Sequence, residues 1–319
     1  MLIKNQAGIL KTMTVKQDQV IPAKKVLWVS FLVDLTDVIL GIWATILSGS
    51  IVMLSEALEG AADLVSSGLL LFGLSQSRRK ADVTHPFGYG KELYFWSLIS
   101  ALIMFSVTST FTFYFGLQRF LNPKILDHTF FAYGVLIFAA ITNGYALSLS
   151  IRRLLRGRPV KRIWQIFYGS SFIETKTAFV LDLMGTLASI FGFIALGLYA
   201  ATGNGRFDGI GAMTIGITLA VLSFLLLLAV KDFLIGKGVS LQTIEIIRKA
   251  THRNKQVKSI QDLKASHIGP EGILINIEIN AEDNLSTDQL EKLIDNVKDE
   301  IRKDLPSAKQ IQVELESTK

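Results

Sequence analysis

Glu59 and Asp63 stand four residues apart in an apolar stretch, so on a helix both carboxylates leave one face a single turn apart. Glu56, three residues before Glu59 and seven before Asp63, joins that face. An ionisable side chain at the centre of a membrane helix costs at least ~2.5–3.5 kcal/mol on insertion scales, which marks it first as a functional group. Carboxylates held this close cannot all stay ionised without a counter-charge; they require protons or a metal cation. A later apolar stretch repeats the spacing with Asp182 and Thr186, a carboxylate and a hydroxyl. Asp34 and Asp37 add two acids in the first apolar stretch. A single buried acid can equally be a packing contact hydrogen-bonded to a neighbouring helix, and that reading stands beside the functional one for Asp34, Asp37 and Glu56. Ala57, Gly60 and Ala61 read as helix-packing positions.

The elements that must position these groups are membrane helices. Half of the 319 residues are apolar and only 19% are charged, against about 25% in soluble domains. A span needs roughly 20 mostly apolar residues, and six stretches qualify: about 26–47, 50–74, 93–118, 129–150, 177–200 and 209–230. With no cysteine, disulfides, thiolate-bound zinc and thiol nucleophiles are excluded. The net charge of +6 does not point to nucleic acid, because the basic residues lie between the apolar blocks. They crowd the first 25 residues, the second-to-third connection (Arg78, Arg79, Lys80, Lys91) and the fourth-to-fifth, whereas the opposite side carries only Arg119, Lys124 and Arg206. That asymmetry places both termini in the cytosol. Residues 1–25 lack the apolar core and cleavage site of a signal peptide and are expected to be a cytosolic tail.

From about Val239 the composition becomes that of a soluble domain. Residues 240–254 suit a helix, 259–265 a short strand, and Ile273, Ile275, Ile277 and Ile279 alternate with more polar neighbours as a strand does. Ser286 and Gln289 have capping-box spacing before the helical run Leu290, Leu293, Ile294, Val297 and Ile301, and 310–315 reads as a last strand. The expected fold is an all-α six-helix transmembrane domain (26–236) followed by a small cytosolic α+β domain (237–319) of order αββαβ. A domain of this size gains from dimerisation.

Three runs make the pattern more specific: Ser48-Gly49-Ser50, the 55–63 segment Ser-Glu-Ala-Leu-Glu-Gly-Ala-Ala-Asp, and His85-Pro86-Phe87-Gly88-Tyr89-Gly90-Lys91. They resemble the cation diffusion facilitator family, dimeric transporters that exchange divalent metal ions for protons. The likeness extends to Asn143, Phe207-Asp208-Gly209, Leu234-Ile235-Gly236 and Ile268-Gly269-Pro270. Within the family, Tyr94-Phe95-Trp96 and the preceding loop look most like the branch containing the mitochondrial zinc-transporter-like member and its bacterial relatives. The resemblance implies a transport site of two ligands from the second span and two from the fifth: Glu59 and Asp63, with Asp182 and Thr186. A second register would pair Ala178 with Asp182. The sequence departs from the zinc-selective pattern by lacking histidine in both pairs and by carrying threonine where a carboxylate is usual. Oxygen donors suit Mn, Fe(II) and Mg, whereas imidazole favours zinc and other later ions. The family's tail sites are built largely from histidine, and this tail has only His252 and His267, with Glu314 and Glu316 on the last strand. His85 is expected to be structural.

The function implied is a proton-coupled antiporter exporting Zn, Mn, Fe or Co from the cytosol across the cell (inner) membrane. The metal is substrate rather than cofactor, and the expected partners are metal ions, protons, lipid and a second copy of the chain, with no nucleic acid. No nucleophile–base set or phosphate loop suggests an enzyme. The alternative from another class is a transport-inactive membrane sensor or scaffold that keeps the fold.

Overall fold

The computed structural model describes residues 23–155, 157–169, 173–270 and 272–316. Most of the expected N-terminal tail lies outside the described residues. Among the described residues, six helices are long and apolar enough to cross a membrane, by length and composition. The first two are α1 (Ala23–Ser48) and α2 (Ile51–Gln76). The third runs from α3 (Glu92–Ile103) through a π-helical turn, Met104–Thr108, into α4 (Ser109–Leu121). The fourth is α5 (Thr129–Leu155); a short α6 (Ile163–Gly169) precedes the fifth, α7 (Ile173–Thr202), and α8 (Arg206–Ile235) is the sixth. Helices are the economical solution in lipid because each satisfies its own backbone polar groups. The tail comprises α9 (Leu241–Thr251), β1 (Val257–Gly269), β2 (Gly272–Ala281), α10 (Thr287–Asp304) and β3 (Ala308–Leu315), the expected αββαβ order.

The chain divides into two compact units. One holds residues up to 67 together with 108–167 and 175–218; the other holds 68–107, 168–174 and 219–319. In the first unit, α1 and α2 form a hairpin whose turn is Gly49, at φ +63°, a left-handed conformation that glycine adopts without steric cost. The hairpin is fastened from outside. Asp208, at the start of α8, accepts hydrogen bonds from Ser50 Oγ (2.5 Å), Ile51 N (2.9 Å) and Val52 N (3.1 Å), capping the N-terminus of α2. Those amides are unsatisfied by the helix itself and carry its positive end. Arg119 completes the knot, 3.2 Å from Asp208 and donating to the Gly49 carbonyl at 2.5 Å. The sequence marked Arg119 only as one of the few basic residues on its side of the membrane; it is buried in an ion pair.

In the second unit the 82–91 loop is organised by Asp82, whose carboxylate accepts from Thr84 Oγ1 (2.7 Å), Tyr89 Oη (2.7 Å) and His85 N (2.8 Å). These donors, Thr84 foremost, hold its carboxyl well below the usual range. His85 stacks on Tyr89 at 4.1 Å, and the Arg79 guanidinium covers the same ring at 4.2 Å. Gly90 packs backbone to backbone on β1: a Cβ there would lie 2.7 Å from Gly269 Cα. The tail sheet has order β1-β2-β3, with β1–β2 antiparallel and β2–β3 parallel. Its core is Ile273, Ile275, Ile277 and Ile279 from β2 against Leu293, Val297 and Ile301 of α10. Ser286 and Gln289 form the capping box: Ser286 Oγ accepts from Gln289 N, and Gln289 Oε1 accepts from Ser286 N.

Removing Arg119 should leave Asp208 as a buried charge without its counter-ion. Arg119→Met is expected to cost about 3–5 kcal/mol, seen as a fall in the detergent-solubilised melting temperature. Arg119→Met/Asp208→Asn, which also removes the stranded charge, should recover part of the loss.

Candidate metal-transport site

The six acids of the first, second and fifth spans are each no more than 7% exposed. Each belongs to the first unit, and polar side chains from other helices reach them. Ser30 Oγ of α1 donates to Asp182 of α7 at 2.8 Å, and Ser150 Oγ of α5 donates to its other oxygen. Ser67 Oγ donates to Asp34 at 2.8 Å. Asn143 Nδ2 of α5 donates to Asp37 at 2.5 Å, and Ser189 Oγ of α7 to Glu56 at 3.2 Å. The bonds fall into two tiers along the helices. Nearer the Gly49 turn stand Asp37, Glu56, Asn143 and Ser189; further along stand Ser30, Asp34, Ser67, Ser150 and Asp182, with Asp63. Glu59 lies between the tiers on α2.

Close helix approach makes these bonds possible. A Cβ on Gly60 of α2 would meet Asp37 Cβ at 3.3 Å and Val38 N at 3.2 Å, so a small residue there lets α1 seat against α2. On α7, a Cβ on Gly185 would lie 2.5 Å from Asn143 Oδ1. Glycine at 185 is what allows Asn143 to lie across α7 and reach Asp37.

The donors do not satisfy the acids. Asp37 Oδ1, Glu56 Oε1, Glu59 Oε1 and Asp63 Oδ1 are buried with no hydrogen-bond partner among the described residues. No Lys or Arg among the described residues pairs with any of the six, and the acids lie within electrostatic range of one another: Asp63 with Glu59, Asp34, Asp182 and Asp37, and Glu59 with Glu56, Asp37 and Asp34. Buried carboxylate oxygens without donors are acceptors awaiting a proton or a cation.

Of the four expected ligands, Glu59, Asp63 and Asp182 are buried in this network. Thr186 is half-buried, and its hydroxyl donates to the Asp182 carbonyl one turn back at 2.7 Å, which leaves its oxygen lone pairs open. Ala178, of the alternative register, is buried as well. Among the described residues no three His, Cys, Asp or Glu side chains converge as one metal-ion ligand group. Sequence reasoning left the first-span acids undecided and did not single out Ser30, Ser67, Ser150 and Ser189. A serine in an apolar helix gives no hydropathy signal, and its partner lies 32 to 152 residues away along the chain.

Six apolar helices, four of which share a buried acidic network, and a small α+β tail describe a multi-pass membrane protein. Comparison with known families agrees at both ends of the chain. The chain belongs to the cation diffusion facilitator family of metal transporters: its residues 27–234 match the cation efflux transmembrane domain and 239–318 the cytoplasmic domain of cation efflux proteins. Among its relatives, the "Proton-coupled zinc antiporter SLC30A9, mitochondrial" of Xenopus laevis is 28% identical over 263 residues, covering 81% of this chain and 47% of that protein. "Metal tolerance protein C4" of Arabidopsis thaliana is 29% identical over 256 residues, 80% and 55% of the respective chains. "Magnetosome protein MamB" of Paramagnetospirillum magneticum is 23% identical over 305 residues, 91% and 93%. This chain therefore spans about half the length of the first two relatives.

Gly185→Ala should push Asn143 off Asp37 and overpack the contact, costing roughly 1–3 kcal/mol. Gly134→Ala, where a Cβ would meet nothing within 4 Å, should leave the melting temperature unchanged or slightly raised. Thermal melts of the two variants in detergent check this contrast.

Proposed function

We propose that this protein is a proton-coupled antiporter that carries divalent metal ions out of the cytosol, with Glu59, Asp63, Asp182 and Thr186 as the transport ligands. The observation that carries the reading is the set of buried carboxylates whose oxygens, among the described residues, have neither a hydrogen-bond partner nor a basic counter-charge. In the mechanism that follows, metal reaches the midplane from the cytosolic side. Rocking of the helices exposes the site to the other face, and protons there compete for the carboxylates and release the ion. Both termini face the cytosol, the membrane is the cell (inner) membrane, and the domain boundaries fall near residues 26 and 237. Family membership and the matched cytoplasmic domain support assembly as a homodimer through the tail. The ion is substrate, not cofactor, and no catalysis is assigned.

Zn, Mn, Fe(II) and Co are the substrate candidates. The names of the relatives favour zinc, while the wholly oxygen donor set favours manganese and iron(II). The second reading, a membrane-embedded sensor or scaffold without transport, draws on two observations. Thr186 stands where the family pattern has a carboxylate, and the described acidic side chains do not converge on one point.

Purified protein in liposomes with an imposed pH gradient separates these readings. Glu59→Gln, Asp63→Asn and Asp182→Asn are each expected to reduce metal uptake to the level of empty liposomes while the protein remains folded and dimeric. Wild-type flux in two of the three would remove the site; no flux from the wild type with any metal would favour the sensor. Thr186→Asp should tighten manganese binding and steepen its pH dependence, since a fourth carboxylate adds attraction and a competing proton together. If Ala178→Asp gives that gain instead, the other register forms the fifth-span pair.

A further inference from the structure

Two glycine contacts bring four helices together around a pair of acids that the transport site does not use. Asp37 Cβ faces Gly60 of α2 at the 3.3 Å that a Cβ there would keep, and Glu56 stands one turn before Gly60 on the same helix. Asn143 lies against Gly185 of α7, and Ser189 stands one turn beyond Gly185. Hydrogen bonds close the ring: Asn143 Nδ2 donates to Asp37, and the Ser189 hydroxyl is shared between the Gly185 carbonyl at 2.9 Å and Glu56 at 3.2 Å. Asp37 is 7% exposed and Glu56 3%, yet Asp37 Oδ1 and Glu56 Oε1 have no hydrogen-bond partner among the described residues.

The polar groups supplied to this pair are donors, an amide N–H and a hydroxyl, which suit the ionised form of each carboxylate. Each donor occupies one oxygen and leaves the other open. The two carboxylates lie within electrostatic range of each other, and among the described residues no Lys or Arg pairs with either. A serine hydroxyl beside them adds a neutral oxygen. This is a hard donor set of the kind that suits Mn and Mg.

We propose that Asp37 and Glu56, supported by Asn143 and Ser189, form a second position for a divalent cation, on the Gly49-turn side of the transport ligands. Glu59, on α2 between the two tiers, is placed to be shared by an ion passing from one to the other. The inference rests on the reading of the protein as a handler of divalent ions, but it concerns different residues.

The test is manganese binding to the full chain in detergent, with free ion counted by electron paramagnetic resonance. Asp37→Asn/Glu56→Gln should bind one Mn ion per chain fewer than the wild type, Asp63→Asn/Asp182→Asn should also bind one fewer, and the fourfold variant two fewer. Because the amides keep the shape of the acids and remove bare charge, the melting temperature of Asp37→Asn/Glu56→Gln in chelator should be no lower than that of the wild type. The rise on adding manganese should shrink. Ser189→Ala, a milder change, should weaken one class of manganese sites several-fold and leave the other unaltered. An unchanged ion count and affinity in Asp37→Asn/Glu56→Gln, or in Ser189→Ala should the double variant not fold, would mean that the pair shares a proton instead, and the proposal falls. An unchanged count in Asp63→Asn/Asp182→Asn alone would overturn the transport site and leave the second position standing.

Discussion

A carboxylate taken out of water must recover what hydration gave it, and the membrane part of this protein is organised by that requirement. The idealised cost of moving one such ion into a medium of low dielectric is on the order of 20 kcal/mol. A hydrogen bond to a charged group returns only about 1.5–3 kcal/mol. Asp182 receives two hydroxyl bonds, and Asp34, Asp37 and Glu56 one each. Donors in that number orient carboxylates without neutralising them. The balance has to arrive as a proton or a cation, so the shortfall that would be a defect in a structural core is what the proposed transport site would use.

Asp208 shows what the structural solution looks like in the same unit. It is as deeply buried as the other acids, but it has two backbone amides, a serine hydroxyl and the guanidinium of Arg119. Nothing remains for a mobile ion to supply. Its product is mechanical: the α1–α2 turn is fixed at the end of the helix that carries Glu56, Glu59 and Asp63. Acids of one kind thus divide by their surroundings, with the compensated one holding a helix end and the uncompensated ones facing the helix interior.

Hydropathy located the six spans because lipid-facing helices are apolar, but it misplaced their ends. The fifth span was expected from residue 177 and begins at Ile173. Glu174 and Lys176 stop a hydropathy window, whereas here they are buried in protein and Lys176 lies 5.3 Å over the Phe167 ring. The π-helical turn at Met104–Thr108 leaves no trace in composition. In the tail, β1 runs from Val257 rather than a few residues around 259–265, because the register shifts along it break the alternation by which a strand is recognised. The acids themselves were plain, and Glu59 and Asp63 could be paired from spacing alone. What could not be read was which donors met Asp34, Asp37 and Glu56, since helix rotation and approach at Gly60 and Gly185 decide that.

In the proposed ligand set, the absence of histidine would change selectivity in a particular way. Affinities of an oxygen site for divalent ions still rise from manganese through iron to cobalt and nickel, and zinc remains above manganese in the general order. Glutamate, aspartate and threonine therefore do not exclude zinc; they remove the added preference that imidazole would give it. With that preference gone, discrimination falls to coordination number and to the space between helices. Manganese and magnesium favour six oxygen ligands, and zinc accepts four. Gly60 and Gly185 seat α1 on α2 and α5 on α7 so closely that the helices carrying the proposed ligands have little freedom to change their spacing. Under that proposal, the packing of α1 on α2 and of α5 on α7 would matter to ion choice as much as the ligands themselves.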